Sequence, residues 1–343
     1  MSMVNLLAGD VGGTTTRLGL FEKTPRRPRA VAVREFPTLD FPDLPAMIAA
    51  FLRAESLTRV PIAAACFGVA GPVTGEAASL TNVRWRVDGG DVARAFTLSR
   101  VLLLNDLEAM AYAVPLLEES EVHVLQAGLA PAGNAGHIAV IAAGTGLGEA
   151  FLHHVDGRYV AAASEAGHAD FAARTEQEIT LLRDLVRRYG RAQVEDVVSG
   201  RGLLNIHRVI HSGRSGGIGR AEREGREGSC KAAIDLDAAD APAAISTAAL
   251  SRQCPGCVDT LNVFVNAYGA EAGNLALRTV ATGGVFIGGG IAPKILAALT
   301  SGAFISAFRA KAPFESMLTA MPVKVIVNDG AGLLGAANFC SRT

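Results

Sequence analysis

Leu6–Leu20 reads LLAGDVGGTTTRLGL. An apolar run ends on Asp10, Gly12-Gly13 makes a turn, three threonines follow, and a second apolar run begins at Leu18. Glycine carries no Cβ, so backbone N–H groups in such a turn can face an anion at close range. Thr14 and Thr15 add hydroxyl donors, and Asp10 is a hard oxygen ligand suited to the shell of a Mg2+ ion. The strand–turn–strand setting separates this stretch from a P-loop, whose glycines lead into a helix. An ordinary glycine hairpin with a satisfied Asp would carry the same letters, and only the remaining motifs separate the two.

The bulk numbers bound the choices. A chain of 343 residues, half of them hydrophobic, is long enough for two domains. Its 38 glycines suit an α/β protein with many tight strand connections. A net charge of −1 offers no electrostatic footprint for nucleic acid or an anionic membrane. Apolar runs such as Ile138–Ala143 fall far short of the roughly 20 residues of a membrane span. The opening MSMVNLLAGD lacks a basic region and a long apolar run, so no signal peptide is expected. Five cysteines, an odd number, read as reduced thiols of a cytoplasmic protein. Cys254-Pro-Gly-Cys257 is the single CxxC. Zinc would need two more ligands, and the sequence shows neither a second CxxC nor a nearby His pair. The expectation is a turn at a helix start with two packed thiols.

Patterning along the chain gives strands at 6–10, 17–22, 31–36, 62–70 and 101–104, with a helix over 44–53 and another over 107–117 ending near Pro115. A second α/β pattern starts with a strand at 137–143 that runs into Gly144-Thr-Gly-Leu-Gly148. Thr175-Glu-Gln-Glu178 is a capping box opening a helix that stops at Gly190. Residues 212–244 are poor in large apolar side chains and read as a solvated surface insertion, of which 213–240 should be dispensable. A helical pattern over 258–282 precedes a strand at 285–287 and Gly288-Gly-Gly290; a strand at 323–327 precedes a Gly/Ala-rich helix at 329–339. The two small-residue helices each follow Asn-Asp, and their backbones can approach closely. They suit a hinge or ordinary core equally.

Three constellations can carry chemistry. Asn105-Asp106 closes a strand; its carboxylate can take a proton from a substrate hydroxyl and its amide can bind a neighbouring one, although Asp106 could equally be an N-cap. Glu165 and His168 stand three apart and can hold vicinal hydroxyls of a sugar; without a His or Cys cluster, catalytic zinc is disfavoured. Gly144-Thr145-Gly146 follows a strand, but Glu149 occupies the last glycine of GxGxxG and a strand follows, which favours a second phosphate hairpin over a dinucleotide site. No GxxxxGK[ST] occurs.

DVGGTTTR at 10–17, TNVRW at 81–85, LLND at 103–106, AAGTGLG at 142–148, SEAGHADF at 164–171, EDVVSGRGL at 195–203, GGVFIGGGI at 283–291 and NDGAGLLG at 328–335 occur in that order. Together they resemble bacterial-type glucokinases, within the sugar kinase–Hsp70–actin superfamily. The resemblance implies a two-lobed α/β actin-like ATPase (ribonuclease H-like) fold. A small domain (1–117 plus 328–343) and a large one (118–327) would flank a cleft for glucose and ATP. It implies Asp106 as catalytic base, with Asn105, Glu165, His168 and Glu195 on the sugar. Asp10, Gly12, Gly13, Thr14, Thr15, Gly144, Thr145, Gly146, Gly288, Gly289 and Gly290 would bind ATP, and Asp10 would hold Mg2+ through water. A homodimer is also implied. The family usually has Asn where Thr15 stands, and glycines where Ser164 and Ala166 stand; Glu149 puts a carboxylate beside the phosphate turn. A kinase of another hexose, and a non-catalytic sugar- or ATP-responsive switch, are the rival readings. Repressors of the related family carry an N-terminal helix-turn-helix, for which the hairpin at residue 6 leaves no room.

Overall fold

Alternation makes the opening stretch a hairpin. In the computed structural model, which describes residues 4–80, 85–129, 136–212 and 230–342, β1 (Asn5–Val11) pairs antiparallel with β2 (Thr15–Glu22), setting Asp10 opposite Arg17. β3 (Arg29–Pro37) lines the outer edge of β2. α1 (Leu44–Ala54) is capped by Asp43, which accepts the Ala46 N–H at 2.8 Å, and buries Leu44, Met47, Ile48, Phe51 and Leu52. β4 (Ile62–Val69) runs parallel to β1. A small antiparallel sheet of β5 (Val73–Thr74), β6 (Ala77–Ser79) and β7 (Arg86–Asp88) leads through α2 (Gly89–Phe96) to β8 (Val101–Asn105). The main sheet has the order β3-β2-β1-β4-β8. α3 (Asp106–Ala113) follows β8 without a loop and stops short of Leu117: Pro115 has no N–H to donate, and residues 114–116 tighten into a 3-10 turn.

β9 (Val122–Gln126), β10 (Ile138–Ala143), β11 (Leu147–Val155) and β12 (Arg158–Ser164) come next. α4 (Glu176–Tyr189) starts at the Thr175–Glu178 capping box and ends on Gly190 at φ 80°. Then follow α5 (Gly200–His211), α6 (Ala241–Leu250), the long α7 (Pro255–Thr279), β13 (Gly284–Gly288), α8 (Leu296–Leu299), α9 (Ala303–Arg309), α10 (Glu315–Ala320), β14 (Val323–Ile326) and α11 (Ala331–Arg342). The second large sheet has the order β12-β11-β10-β13-β14-β9. Every residue of β10 is buried, as its unbroken apolar run requires of a central strand covered on both faces.

The chain divides into two compact units: Met1–Val122 with Ala150–Ala163 and Asn328–Thr343, and His123–Glu149 with Ser164–Val327. In the first unit Leu7, Leu18, Met47, Phe51 and Phe67 are fully buried. There the two small-residue helices, α3 and α11, pack on each other, and a Cβ on Gly335 would stand 1.6 Å from the Ala109 carbonyl oxygen. In the second unit Tyr268 sits edge-on between Phe264 and Phe304, with ring centroids 5.8 and 5.6 Å away.

Two expectations need correction. The surface insertion does not extend to 244, because α6 begins at Ala241 and buries Ala241 and Ile245; residues 213–229 lie outside the described ones. The CxxC does cap a helix, with Cys254 and Cys257 both buried. It is not isolated, however, because α5 carries His207 and His211 to it and Cys230 joins them. Sequence distance hid that neighbourhood.

Candidate active site

The residues expected to act fall in two groups. Asp10, Gly12, Gly13, Thr14, Thr15, Asn105 and Asp106 belong to the first unit. Gly144, Thr145, Gly146, Glu165, His168, Glu195 and Gly288–Gly290 belong to the second.

In the first unit, register brings the acids together. β1 and β8 flank β4 in parallel, with Asp10 opposite Gly68 and Asn105 opposite Val69. Both acids therefore lie at the carboxyl ends of parallel strands on either side of β4, where open α/β sheets bind ligands. Gly68 between them is bare: a Cβ there would stand 3.6 Å from the Asp106 Cα and 2.7 Å from the Ala109 Cβ. The helix cap is Asn105, not Asp106. Its side chain accepts the Leu107 N–H at 2.9 Å while Glu108 reaches back to the Asn105 N–H at 3.2 Å. Asp106 is thus the first helical residue, and its Oδ1 accepts the Leu107 N–H at 3.0 Å. The Asn105 amide donates to the Gly71 carbonyl at 3.4 Å.

The phosphate-type turn is braced from outside. Gly12 N–H donates to the Thr15 carbonyl at 3.1 Å, and a Cβ on Gly12 would sit 2.7 Å from that oxygen, so glycine is required. Thr38 ties the turn down through its hydroxyl to the Gly12 carbonyl at 2.7 Å and its N–H to the Thr14 carbonyl at 2.9 Å. Thr16 turns inward while Thr14 and Thr15 stay exposed, as the strand alternation dictates. Burial pushes the Asp10 carboxyl up to about 6, against the opposing pull of Arg17. A desolvated carboxyl of this kind is a fitting donor to a hard cation, whose charge would restore its ionised form.

In the second unit, Leu147 links the turn to the expected sugar ligands. Its N–H donates to Glu195 Oε2 at 2.9 Å, and its carbonyl lies against Gly167, where a Cβ would approach to 2.1 Å. A Cβ on Gly146 would meet Glu195 Oε2 at 2.5 Å. Glu195 also pairs with Arg201 at 3.2 Å, so it is anchored rather than a loose surface carboxylate. Glu165 and His168 bracket a 3-10 turn, with Nε2 and Oε2 3.9 Å apart and His168 Nδ1 2.7 Å from Gln193 Oε1. Ser164, in place of a glycine, takes the Ala166 N–H at 3.0 Å and fixes this turn. Glu149, expected beside the phosphate turn, instead points into the interior, 3.9 Å from Arg278 and with both oxygens lacking a hydrogen-bond partner. Burial first, then the charge of Glu271, push its carboxyl up to about 8 against the opposing pull of Arg278.

Gly144 and Gly290 expose bare backbone at the ends of adjacent strands, since an added Cβ on either would meet nothing within 4 Å. Gly289 holds φ 82° and would clash with the Ala143 carbonyl at 2.3 Å, and Gly288 is buried in β13, so these two shape the turn while Gly290 offers the open surface. Sequence reasoning missed Thr38, Gln193, Arg201 and Gly332. Arg201 and Gly332, whose bare Cα lies against the Asp10 carboxylate, stand inside the quoted EDVVSGRGL and NDGAGLLG motifs.

Residues 7–343 match the Glucokinase family model. The glucokinase of Nostoc punctiforme is 38% identical, over 99% of this chain and 100% of that protein. A crystal structure of glucokinase from an Antarctic psychrotroph has a TM-score of 0.81 at 30% identity, covering 99% of both chains. A ROK family glucokinase from Streptomyces griseus, solved with glucose and AMPPNP, has a TM-score of 0.62 at 19% identity, covering 100% of both, and speaks to the fold alone. The fold is that of the actin-like ATPases, in the form sugar kinases use. By sequence over nearly its whole length, the chain belongs to the glucokinase family. Among the described residues no helix is long and apolar enough to cross a membrane.

Proposed function

We propose that this chain transfers the γ-phosphoryl group of ATP to O6 of D-glucose, with Asp106 as the base. The observation that carries this reading is the register of β1, β4 and β8, which sets Asp10 and Asp106 on either side of β4 with bare Gly68 between them. O6 attacks the γ-phosphorus in line as the bond to the β–γ bridging oxygen breaks. The O6 proton passes to the Asp106 carboxylate, and ADP leaves. Asn105, Glu165, His168 and Glu195 would hold the other hydroxyls, for which carboxylates and an imidazole supply acceptors and a donor. The bare turns and threonine hydroxyls of Gly12–Thr15 and Gly144–Gly146 suit phosphates, and Gly288–Gly290 suits adenosine. Asp10 would hold Mg2+ through water, and that ion would supply charge neutralisation at the phosphates. The full-length relatives named glucokinase, such as that of Nostoc punctiforme, support glucose as the sugar. The resemblance supports a homodimer, testable by light scattering, and the odd number of cysteines supports a cytoplasmic setting.

A panel of sugars and donors tests the reading. Glucose with ATP should give glucose 6-phosphate, while 6-deoxyglucose should bind without reacting because it lacks the attacking hydroxyl. N-acetylglucosamine should be poor, since Ser164 and Ala166 fill space that glycines would leave open beside Glu165. Efficient turnover of N-acetylglucosamine, polyphosphate matching ATP, or binding without transfer would each overturn it.

A further inference from the structure

His207 is 2% exposed, and neither of its ring nitrogens has a hydrogen-bond partner. Buried polar groups are almost always paired, so an orphan imidazole calls for an explanation. It lies in α5, one turn before His211, with the two rings stacked at 3.8 Å. His211 Nδ1 lies 3.0 Å from the His207 carbonyl oxygen, which can only accept; Nδ1 therefore carries the proton and Nε2 keeps its lone pair. That lone pair is 3.4 Å from the sulfur of Cys254. Cys230 Sγ is 3.7 Å from Cys254 Sγ and 3.6 Å from Cys257 Sγ. The ligand atoms of His207, His211, Cys230 and Cys257 all lie within 4.8 Å of one another.

We infer that Cys230, Cys254, Cys257 and His211 form a structural zinc site, distinct from the sugar- and nucleotide-binding residues, with His207 beside it. Zinc bonds of about 2.3 Å to sulfur and 2.0 Å to nitrogen set tetrahedral edges of roughly 3.8 Å between sulfurs and 3.5 Å from sulfur to nitrogen. The three measured separations match those edges, and none approaches the ~2.05 Å of a disulfide. The frame is built for it. Cys254 caps α7 and Cys257 falls in its first turn, and the backbone N–H groups of Cys257 and Lys231 point at the Cys254 sulfur. A Cβ on Gly256 would come within 2.6 Å of His211 Nε2, so only glycine lets the imidazole sit over the turn. Nδ1–H held by a backbone carbonyl is the arrangement that orients a histidine ligand. On binding, three thiols release their protons to solvent and four ligands close the shell, leaving no open position for catalysis. The ion would tie Cys230, where the described chain resumes, to the ends of α5 and α7.

The test uses the full-length chain without a histidine tag, grown with zinc and purified without chelator. Elemental mass spectrometry should find about one zinc per chain, and exchange for Co2+ should give the intense visible bands of tetrahedral cobalt with thiolate ligands. Cys257→Ser should lose the metal and lower Tm, while phosphorylation of glucose by the folded fraction should change less than about 3-fold, since the variant touches no site residue. Should that variant fail to fold, Gly256→Ala with the cobalt spectrum serves instead and should distort or abolish the bands. A zinc-replete preparation that binds no zinc, a Cys230 disulfide in the native protein, or zinc retained in Cys257→Ser would overturn the assignment. Loss of kinase activity with zinc present would count against the proposed reaction and leave this site standing.

Discussion

The carboxylate of Asp10 packs against the bare α-carbon of Gly332, so closely that a Cβ there would stand 2.7 Å from Oδ2. Gly332 lies in the first turn of α11, whose N–H groups and dipole favour a negative group. Gly332→Ala should push the carboxylate aside while improving helix propensity. The expected outcome is a protein with Tm near normal and kcat/KM for ATP lowered by up to ~10²-fold, the scale of a 1 Å misplacement. Steady-state kinetics over a Mg2+ series with a melting curve check it; unchanged kinetics would remove Asp10 from the nucleotide's ion.

Asp106→Asn should keep the fold, because Asn105 rather than Asp106 supplies the helix cap. Loss of the base should lower kcat by ~10²–10⁴-fold. Calorimetry alongside kcat separates the two effects, and near-normal kcat in a folded variant would remove Asp106 from its role.

Glu195→Gln keeps the volume but weakens the charge-assisted bonds to the Leu147 N–H and Arg201. KM for glucose should rise by roughly 10-fold, with a smaller change in KM for ATP. A rise confined to ATP would assign Glu195 to the turn alone.

Glu149 predicts a pH effect on stability. Its carboxyl titrates near 4.5 when the chain is unfolded and at about 8 when folded. Below 4.5 it is protonated in both states. Between those values only the unfolded chain ionises, so stability falls as pH rises, by at most about 1.4 kcal/mol per pH unit; above 8 the loss is complete. Glu149→Gln should shrink the Tm difference between pH 5 and 9 and raise Tm at the alkaline end. An unaltered difference would mean that Glu149 is ionised at neutral pH.

Much was legible because it is local. The glycine turn between β1 and β2, the Thr175 capping box and the stop at Gly190 depend on residues within a few positions of one another, and propensity and alternation act at that range. The ordered motifs placed the chain in its family for the same reason, since each is a short contiguous string. Residue identity thus determined most of the elements and supplied the candidate site residues. What only the tertiary structure decided involves partners far apart in sequence. Asp10 meets Gly332, Glu195 meets Leu147, Glu149 turns inward toward Arg278, and His207 and His211 stand over Cys254-Pro-Gly-Cys257 with Cys230. Strand register and helix packing set those distances through the shape of whole faces, and no single stretch of sequence carries that information.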